Sequence, residues 1–184
     1  MLQAVTRPKP CRVCRQDFTP VRPLQVVCGL KCARSLPVAT RKAEKESRKA
    51  TRAALEALKP LSYWVQQAQT AFNAWIRERD KDRPCISCGR FHVGSWDAGH
   101  YLTTGARPEL RFDEANVHRQ CVPCNQHLHG NLVMYRVGLL GRIGLAELTR
   151  LEGPHPPRRY RVDDLKAIRA DYRARLKATH PRRT

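Results

Sequence analysis

Four cysteines in the central part of the chain are spaced as metal ligands. Cys85 and Cys88 form one CxxC pair and Cys121 and Cys124 form another, with 32 residues between the pairs. Each CxxC turn brings two thiolates to one ion, so two such turns complete a closed tetrahedral site of the structural zinc type. Free core cysteines are the alternative interpretation. A redox role is less favoured, because a redox CxxC needs only one pair.

A second set of four cysteines lies near the start of the sequence, at Cys11, Cys14, Cys28 and Cys32. Its spacing also predicts a zinc site. Phe18 follows four residues after Cys14, where small zinc modules often keep an aromatic side chain over the metal. Neither set leaves an open position for water, so we expect two structural zinc ions and no catalytic zinc.

The interval between the central CxxC pairs, with the residues just after it, contains groups that could hydrolyse a phosphodiester. They are Asp97, His100, Asn116, Asn125 and His127. A histidine at the end of a strand can take a proton from water. A hydrated divalent cation held by Asp or Asn oxygens can stabilise the pentavalent phosphate and the leaving oxygen. Three further histidines are not assigned to this chemistry: we interpret His118 as structural, and His92 and His129 belong to no motif.

The charge of the chain predicts a polyanionic partner. Among 184 residues, 35 are Lys or Arg and 16 are Asp or Glu, a net charge of +19. Residues 1–60 contribute +10 and residues 158–184 contribute +7, whereas residues 61–157 contribute only +2. Two basic arms therefore flank a nearly neutral centre. Solvated helix faces are the alternative, but phosphate contact accounts better for so much charge.

Four helices are expected around the cysteine-rich centre. Thr40–Lys59 has the composition of an exposed basic helix. A second helix over Tyr63–Asp80, with Ser62 as its N-cap, carries an apolar stripe that we assign to the core. Leu132–Glu152 has helical potential despite its glycines, and a last helix is expected over Asp163–Lys177.

Short strands are expected around Trp96 and around Leu110–Phe112. No run of about 18 apolar residues exists, so no membrane span is expected. The start of the chain has no apolar segment of the secretory type. Reduced cysteines that bind metal agree with a protein that is not secreted.

The order of these motifs resembles the HNH, or ββα-metal, nucleases with a structural zinc. A CxxC pair is followed by Gly99-His100, then by Asn116 five residues before the second CxxC pair, and then by Asn125 directly after it. In that family the histidine is the general base, which would be His100. The resemblance implies that Asn116 supports the metal loop or ligates the metal, and that Asn125 is a metal ligand. The position before the base is Gly99 rather than an acid or histidine, so Asp97 is the expected ligand, with His127 as a further candidate.

Several longer segments resemble the NinG (Rap) family of lambdoid phages more closely. They include Phe72–Asp80, Pro84–Gly89, Trp96–Tyr101, Leu110–Phe112 and Gly130–Leu132. The resemblance implies a DNA-structure-specific endonuclease of recombination that acts on Holliday junctions and D-loops. It also implies a catalytic Mg²⁺ or Mn²⁺ ion, branched DNA as substrate, and phage or host recombination proteins as partners in the cytoplasm of the bacterial cell.

We therefore expect a small, zinc-stabilised α+β fold, in which a ββα-metal core is flanked by helices and preceded by a separate zinc module. The expected parts are a zinc module (1–36), a basic helical linker (37–60), a nuclease core (61–152) and a basic C-terminal helix (153–184). Because symmetric resolution of a junction needs two cuts, a homodimer is expected. A non-catalytic zinc DNA-binding protein and an HNH nuclease of plain duplex remain the alternatives.

Overall fold

A computed structural model describes residues 7–180 and divides the chain into two compact units. The first is Met1–Lys59 and the second is Pro60–Thr184. The division falls at the proline where the sequence predicts the end of the basic helix. The first six residues of the predicted zinc module and residues 181–184 of the predicted C-terminal segment lie outside the described residues.

The first unit is a small hairpin followed by one long helix. Strands β1 (Lys9–Pro10) and β2 (Asp17–Phe18) pair antiparallel, and helix α1 runs over Leu30–Ala57. The prediction placed the start of this helix at Thr40, but the helix begins ten residues earlier and continues through Pro37. It starts immediately after the turn that holds Cys28, with Cys32 in its first turn. Most of its side chains are exposed.

In the second unit, helices α2 (Leu61–Arg79) and α4 (Val162–Thr179) pack against each other. The stripe predicted on α2 is confirmed as core, and α4 contributes Leu165 and Tyr172. The buried side chains of α2 are Trp64, Ala68, Ala71, Phe72 and Ile76. Ser62 is not the N-cap: the helix begins at Leu61, two residues before its predicted start, and Pro60 at the N-cap position makes no side-chain hydrogen bond.

The centre of the second unit is a two-stranded hairpin. Strand β3 (Trp96–His100) pairs antiparallel with β4 (Val117–Cys121), so that the two strand ends His100 and Val117 are opposite each other. The strand predicted at Leu110–Phe112 is wrong. A 3₁₀ turn occupies Pro108–Leu110, and Leu110 is buried in the core. Leu110 is apolar because its side chain enters the core from a loop, not because it belongs to a strand. The proline at the start of the turn also favours a turn over a strand.

A π-helical turn (Pro123–His127) and then helix α3 (Leu132–Glu152) follow the hairpin. The predicted bounds of α3 are confirmed. This helix packs on the loop between β3 and β4 and on the first CxxC turn through a cluster of buried side chains: Ile86, Tyr101, Leu110, Tyr135, Leu139, Leu148 and Leu151. The chain is thus a mixed structure of helices and small sheets. Within residues 7–180, none of the helices combines the length and apolarity that crossing a membrane requires.

Candidate functional site

The four central cysteines meet at one point, as their spacing predicts. The sulfur atoms of Cys85, Cys88, Cys121 and Cys124 all lie within 4.8 Å of one another. The backbone N–H of Cys121 donates to the sulfur of Cys85 at 3.4 Å, and Trp96 packs against the cluster. Four thiol ligands at these separations fit a closed zinc site. The cluster therefore could hold a structural zinc ion.

The four N-terminal cysteines also converge. The sulfur atoms of Cys11, Cys14, Cys28 and Cys32 lie within 4.8 Å of one another, and Cys11 is fully buried. The backbone N–H of Cys28 donates to the sulfur of Cys11 at 3.4 Å. In a unit with so few buried apolar side chains, metal binding would supply much of the folding free energy. This cluster could hold a second structural zinc ion.

His100 lies at the end of β3, and a backbone carbonyl fixes its orientation. Its Nε2 is 3.0 Å from the carbonyl oxygen of Arg111. Because a carbonyl oxygen can only accept, Nε2 must carry the proton of the neutral ring, and Nδ1 then carries the lone pair. Burial lowers the pKa of His100 below its usual value, so the ring is neutral at pH 7. The histidine therefore has the protonation state and tautomer of a general base.

Asn116 is completely buried, and its side chain hydrogen-bonds to two backbone segments of the loop between β3 and β4. Its Nδ2 donates to the carbonyls of Leu102 at 3.0 Å and Leu110 at 3.2 Å, and its Oδ1 accepts from the N–H of Leu102 at 2.8 Å. Of the two roles that the HNH resemblance allows, this geometry favours support of the loop over ligation of a metal. The loop that Asn116 holds includes the turn leading to Arg111, whose carbonyl orients His100.

Asp97 and Asn125 lie together, although 28 residues separate them. The Asp97 Oδ2 atom accepts from Nδ2 of Asn125 at 2.8 Å and from Nε2 of Gln126 at 2.9 Å. The Oδ1 atom of Asn125 is directed towards Gly99: a Cβ at residue 99 would lie 3.1 Å from it. Any side chain there would also overlap the side-chain amide oxygen (Oε1) of the buried Gln120, so the departure from an acidic residue at position 99 has a steric reason.

A cleft of about 340 Å³ brings part of the predicted site together. Its lining residues are Ala98, His100, Thr103, Thr104, Asn125, His129, Gly130 and Leu132. His129 was not predicted. It reaches the cleft because residues 129–131 all have positive φ angles, a turn that the glycine and asparagine beside the histidine could have indicated. His127 is exposed on the π-helical turn and does not line the cleft.

The two remaining central histidines lie elsewhere. His118 is 3% exposed and packs edge-on against Tyr135, in agreement with a structural role. His92 lies beside the central cysteine cluster, with its Nε2 atom 3.3 Å from the sulfur of Cys88.

The fold and site define a class: a small mixed helix-and-sheet protein with two four-cysteine clusters that could bind zinc and a histidine-lined cleft beside the central cluster. The model of the family "Bacteriophage Lambda NinG protein" matches residues 3–181, and the chain belongs to the NinG family of lambdoid phages. It is 46% identical to Protein ninG of Salmonella phage P22, covering 89% of each chain. Identity to Protein ninG of Escherichia phage lambda is also 46%, covering 89% of this chain and 88% of that protein. No solved structure matches the chain.

Proposed function

We propose that this chain is a metal-dependent endonuclease that hydrolyses phosphodiester bonds in branched DNA, such as Holliday junctions and D-loops. We further propose that β3, β4 and α3 form a ββα-metal core of the HNH type. The observation that carries the proposal is the setting of His100. It is a neutral histidine with an assigned tautomer, at a strand end, lining a cleft that also contains Asn125.

In this mechanism His100 deprotonates the attacking water. The proton passes from water to Nδ1, which accepts no hydrogen bond from the described residues. The carbonyl of Arg111 continues to accept from Nε2–H and stabilises the imidazolium that forms. Because burial lowers the pKa of His100, the base is ready at neutral pH and readily gives up its proton for the next turnover.

We propose that Asp97 and Asn125 hold one divalent cation of the Mg²⁺ or Mn²⁺ type; of the two residues, only Asn125 lines the cleft. Asp97 and Asn125 supply hard oxygens, which such ions prefer, and two protein ligands suffice when water and phosphate oxygens fill the other positions. Oδ1 of Asp97 accepts no hydrogen bond from the described residues. A bound cation would neutralise the charge that grows on the leaving 3′ oxygen. Asn116 holds the loop in this scheme, and His127 has no part in it.

The basic arms would hold the DNA through its backbone. Helix α1 exposes a dense set of cations: Arg41, Lys42, Lys45, Arg48, Lys49 and Arg52. Contacts between such side chains and phosphates add affinity without reading bases, which suits a substrate recognised by its branching. Branched DNA as the substrate class rests on the NinG resemblance. A homodimer, phage or host recombination partners, and a place in the host cytoplasm belong to the same proposal.

The test compares His100→Ala with wild type on a four-way junction, a splayed arm and a linear duplex, at one stated salt concentration with Mg²⁺ or Mn²⁺. Loss of a general base should slow cleavage by about 10²- to 10⁴-fold, with zinc content and junction binding unchanged. His155→Ala is the matched control, because among the described residues this histidine hydrogen-bonds only to the carbonyl of Arg150, at the other end of α3.

Each outcome separates the alternatives. Cleavage by His100→Ala at the wild-type rate would refute the catalytic assignment. A wild-type protein that binds junctions but cuts no DNA with either metal would favour a non-catalytic zinc DNA-binding protein. Equal cleavage of junction and linear duplex would favour an HNH nuclease of plain duplex.

A further inference from the structure

A second cavity lies between the end of α2, the start of β4 and α3. Its volume is about 260 Å³, and it shares no lining residue with the histidine-lined cleft. Its lining includes three arginines, two acids and a buried histidine: Arg79, Arg83, Arg142, Asp80, Glu114 and His118. We call these six residues the arginine pocket.

The two acids of the arginine pocket are already paired. Both carboxylate oxygens of Asp80 accept from Arg79, at 2.9 and 2.8 Å, and one also accepts from the backbone N–H of Arg119 at 3.1 Å. Burial alone would raise the pKa of Asp80, but the Arg79 guanidinium outweighs it and the pKa falls. Glu114 accepts from Arg175 at 2.8 Å. Neither acid is therefore free to neutralise the other two arginines closely.

Two buried nitrogen atoms of the arginine pocket have no hydrogen-bond partner among the described residues, although Nη2 of Arg142 donates to the carbonyl of Pro84 at 3.5 Å. Nη1 of Arg142 is buried without a hydrogen bond among the described residues, and its nearest carboxylate oxygen, on Asp80, is 3.6 Å away. Nδ1 of His118 is likewise buried and unpartnered, on a side chain that is 3% exposed. The Arg83 side chain is exposed at the mouth, with no hydrogen bond or ion pair among the described residues. A buried donor without an acceptor lowers the stability of the folded state, so we expect a ligand with acceptor atoms to bind here.

We propose that the arginine pocket binds a phosphate group, separately from the catalytic cleft. A phosphate offers several acceptor oxygens to two guanidinium groups at once, and the neutral imidazole of His118 can donate from Nδ1. The exposed Arg83 at the mouth makes the pocket accessible to a backbone phosphate of DNA, a source that rests on the proposed function. A free phosphate ion is the other source of the same chemistry.

The first experiment tests the pocket without DNA. Thermal unfolding of the full zinc-loaded chain is followed in inorganic phosphate and in chloride at equal ionic strength. Phosphate should raise the wild-type melting temperature by about 3 °C when it is well above its Kd. Arg83→Gln and Arg142→Gln should each lose most of that difference, whereas Arg173→Gln, which removes an exposed cation on α4 outside the pocket, should keep it.

The second experiment measures junction binding against salt, without added Mg²⁺ or Mn²⁺ so that no strand is cut. Loss of one phosphate contact should reduce the slope of log K against log salt by about 0.9 and weaken binding about three- to tenfold. Arg83→Gln is the decisive variant. The Arg83 side chain is exposed and makes no hydrogen bond or ion pair with the described residues, so its substitution should not destabilise the fold. Arg142→Gln is interpreted only if its tryptophan fluorescence shows a native second unit.

The outcomes are distinguishable. A smaller salt slope for Arg83→Gln than for wild type and Arg173→Gln supports a DNA phosphate in the pocket, with or without an effect of inorganic phosphate. A lost phosphate effect with an unchanged slope supports the pocket but assigns it to a free phosphate. If Arg83→Gln changes neither, the proposal is refuted. These readouts need no cleavage, so failure of the nuclease proposal would leave them interpretable.

Discussion

Three glycines spaced three residues apart on α3 should respond in different ways to the same substitution. They are Gly138, Gly141 and Gly144. Gly138 faces the first CxxC turn: a Cβ there would overlap the carbonyl oxygen of Ile86 and lie 3.1 Å from its carbonyl carbon, whereas non-bonded carbons prefer about 3.5–4.0 Å. The neighbour is a backbone atom of the first CxxC turn rather than the end of a flexible side chain, so it cannot rotate away.

Two opposing contributions determine how much each glycine-to-alanine substitution changes the free energy of unfolding. Alanine is favoured over glycine inside a helix by about 1 kcal/mol. Overpacking costs about 1–3 kcal/mol, and overlap with fixed backbone belongs at the upper end of that range. Gly138→Ala should therefore lower the free energy of unfolding by about 1–2 kcal/mol. At Gly141 a Cβ meets nothing within 4 Å, so the same change should raise it by about 0.5–1 kcal/mol.

Gly144 separates backbone strain from crowding. It has open space but φ +78° and ψ 169°, at the kink of α3. This region is essentially restricted to glycine, so Gly144→Ala should cost about 1–3 kcal/mol without any clash.

Tryptophan fluorescence during chemical denaturation measures these changes, because Trp64, Trp75 and Trp96 all belong to the second unit. A melting-temperature shift of about 3–5 °C per kcal/mol is the thermal equivalent. If Gly138→Ala and Gly141→Ala changed stability equally, the close packing of α3 on the first CxxC turn would be refuted.

Three further predictions concern the metals, a buried histidine and the loop asparagine. Metal analysis should find two zinc ions per chain, and Cys28→Ser and Cys85→Ser should each remove one; a value near zero would refute both sites. Burial lowers the pKa of His118 to about 3, so the unfolded chain binds this proton first as pH falls. Stability should then drop by about 1.4 kcal/mol per pH unit from pH 6.5 downwards, and an NMR titration that found protonation near 6.5 would contradict this. Asn116→Ala should cost about 2–4 kcal/mol in denaturation and also reduce cleavage, because it leaves buried loop groups of Leu102 and Leu110 unpaired; unchanged stability would refute the loop role.

The features that the sequence predicts well are those encoded by spacing. The two cysteine sets and the bounds of α3 follow from metal-ligand spacing and composition. The failures occur where tertiary contacts decide. The sequence around Leu110 resembles a strand, but Leu110 lies in a 3₁₀ turn. Its apolar side chain is there because it packs in the core. His129 reaches the cleft through three successive left-handed residues, which no periodicity reveals.

The central cysteine cluster does more than stabilise the fold, because it lies between the elements that form the cleft. Cys121 ends β4, and Cys124 immediately precedes Asn125 on the π-helical turn. The side chain of Asn131, at the start of α3, donates to the sulfur of Cys124 at 3.6 Å. At Gly138, α3 approaches the backbone of the first CxxC turn so closely that a Cβ would overlap it. A metal that fixes these four thiolates therefore also fixes Asn125 relative to His100. Loss of the central zinc should on this argument abolish any activity of the cleft, even though neither the zinc nor its ligands would contact the substrate.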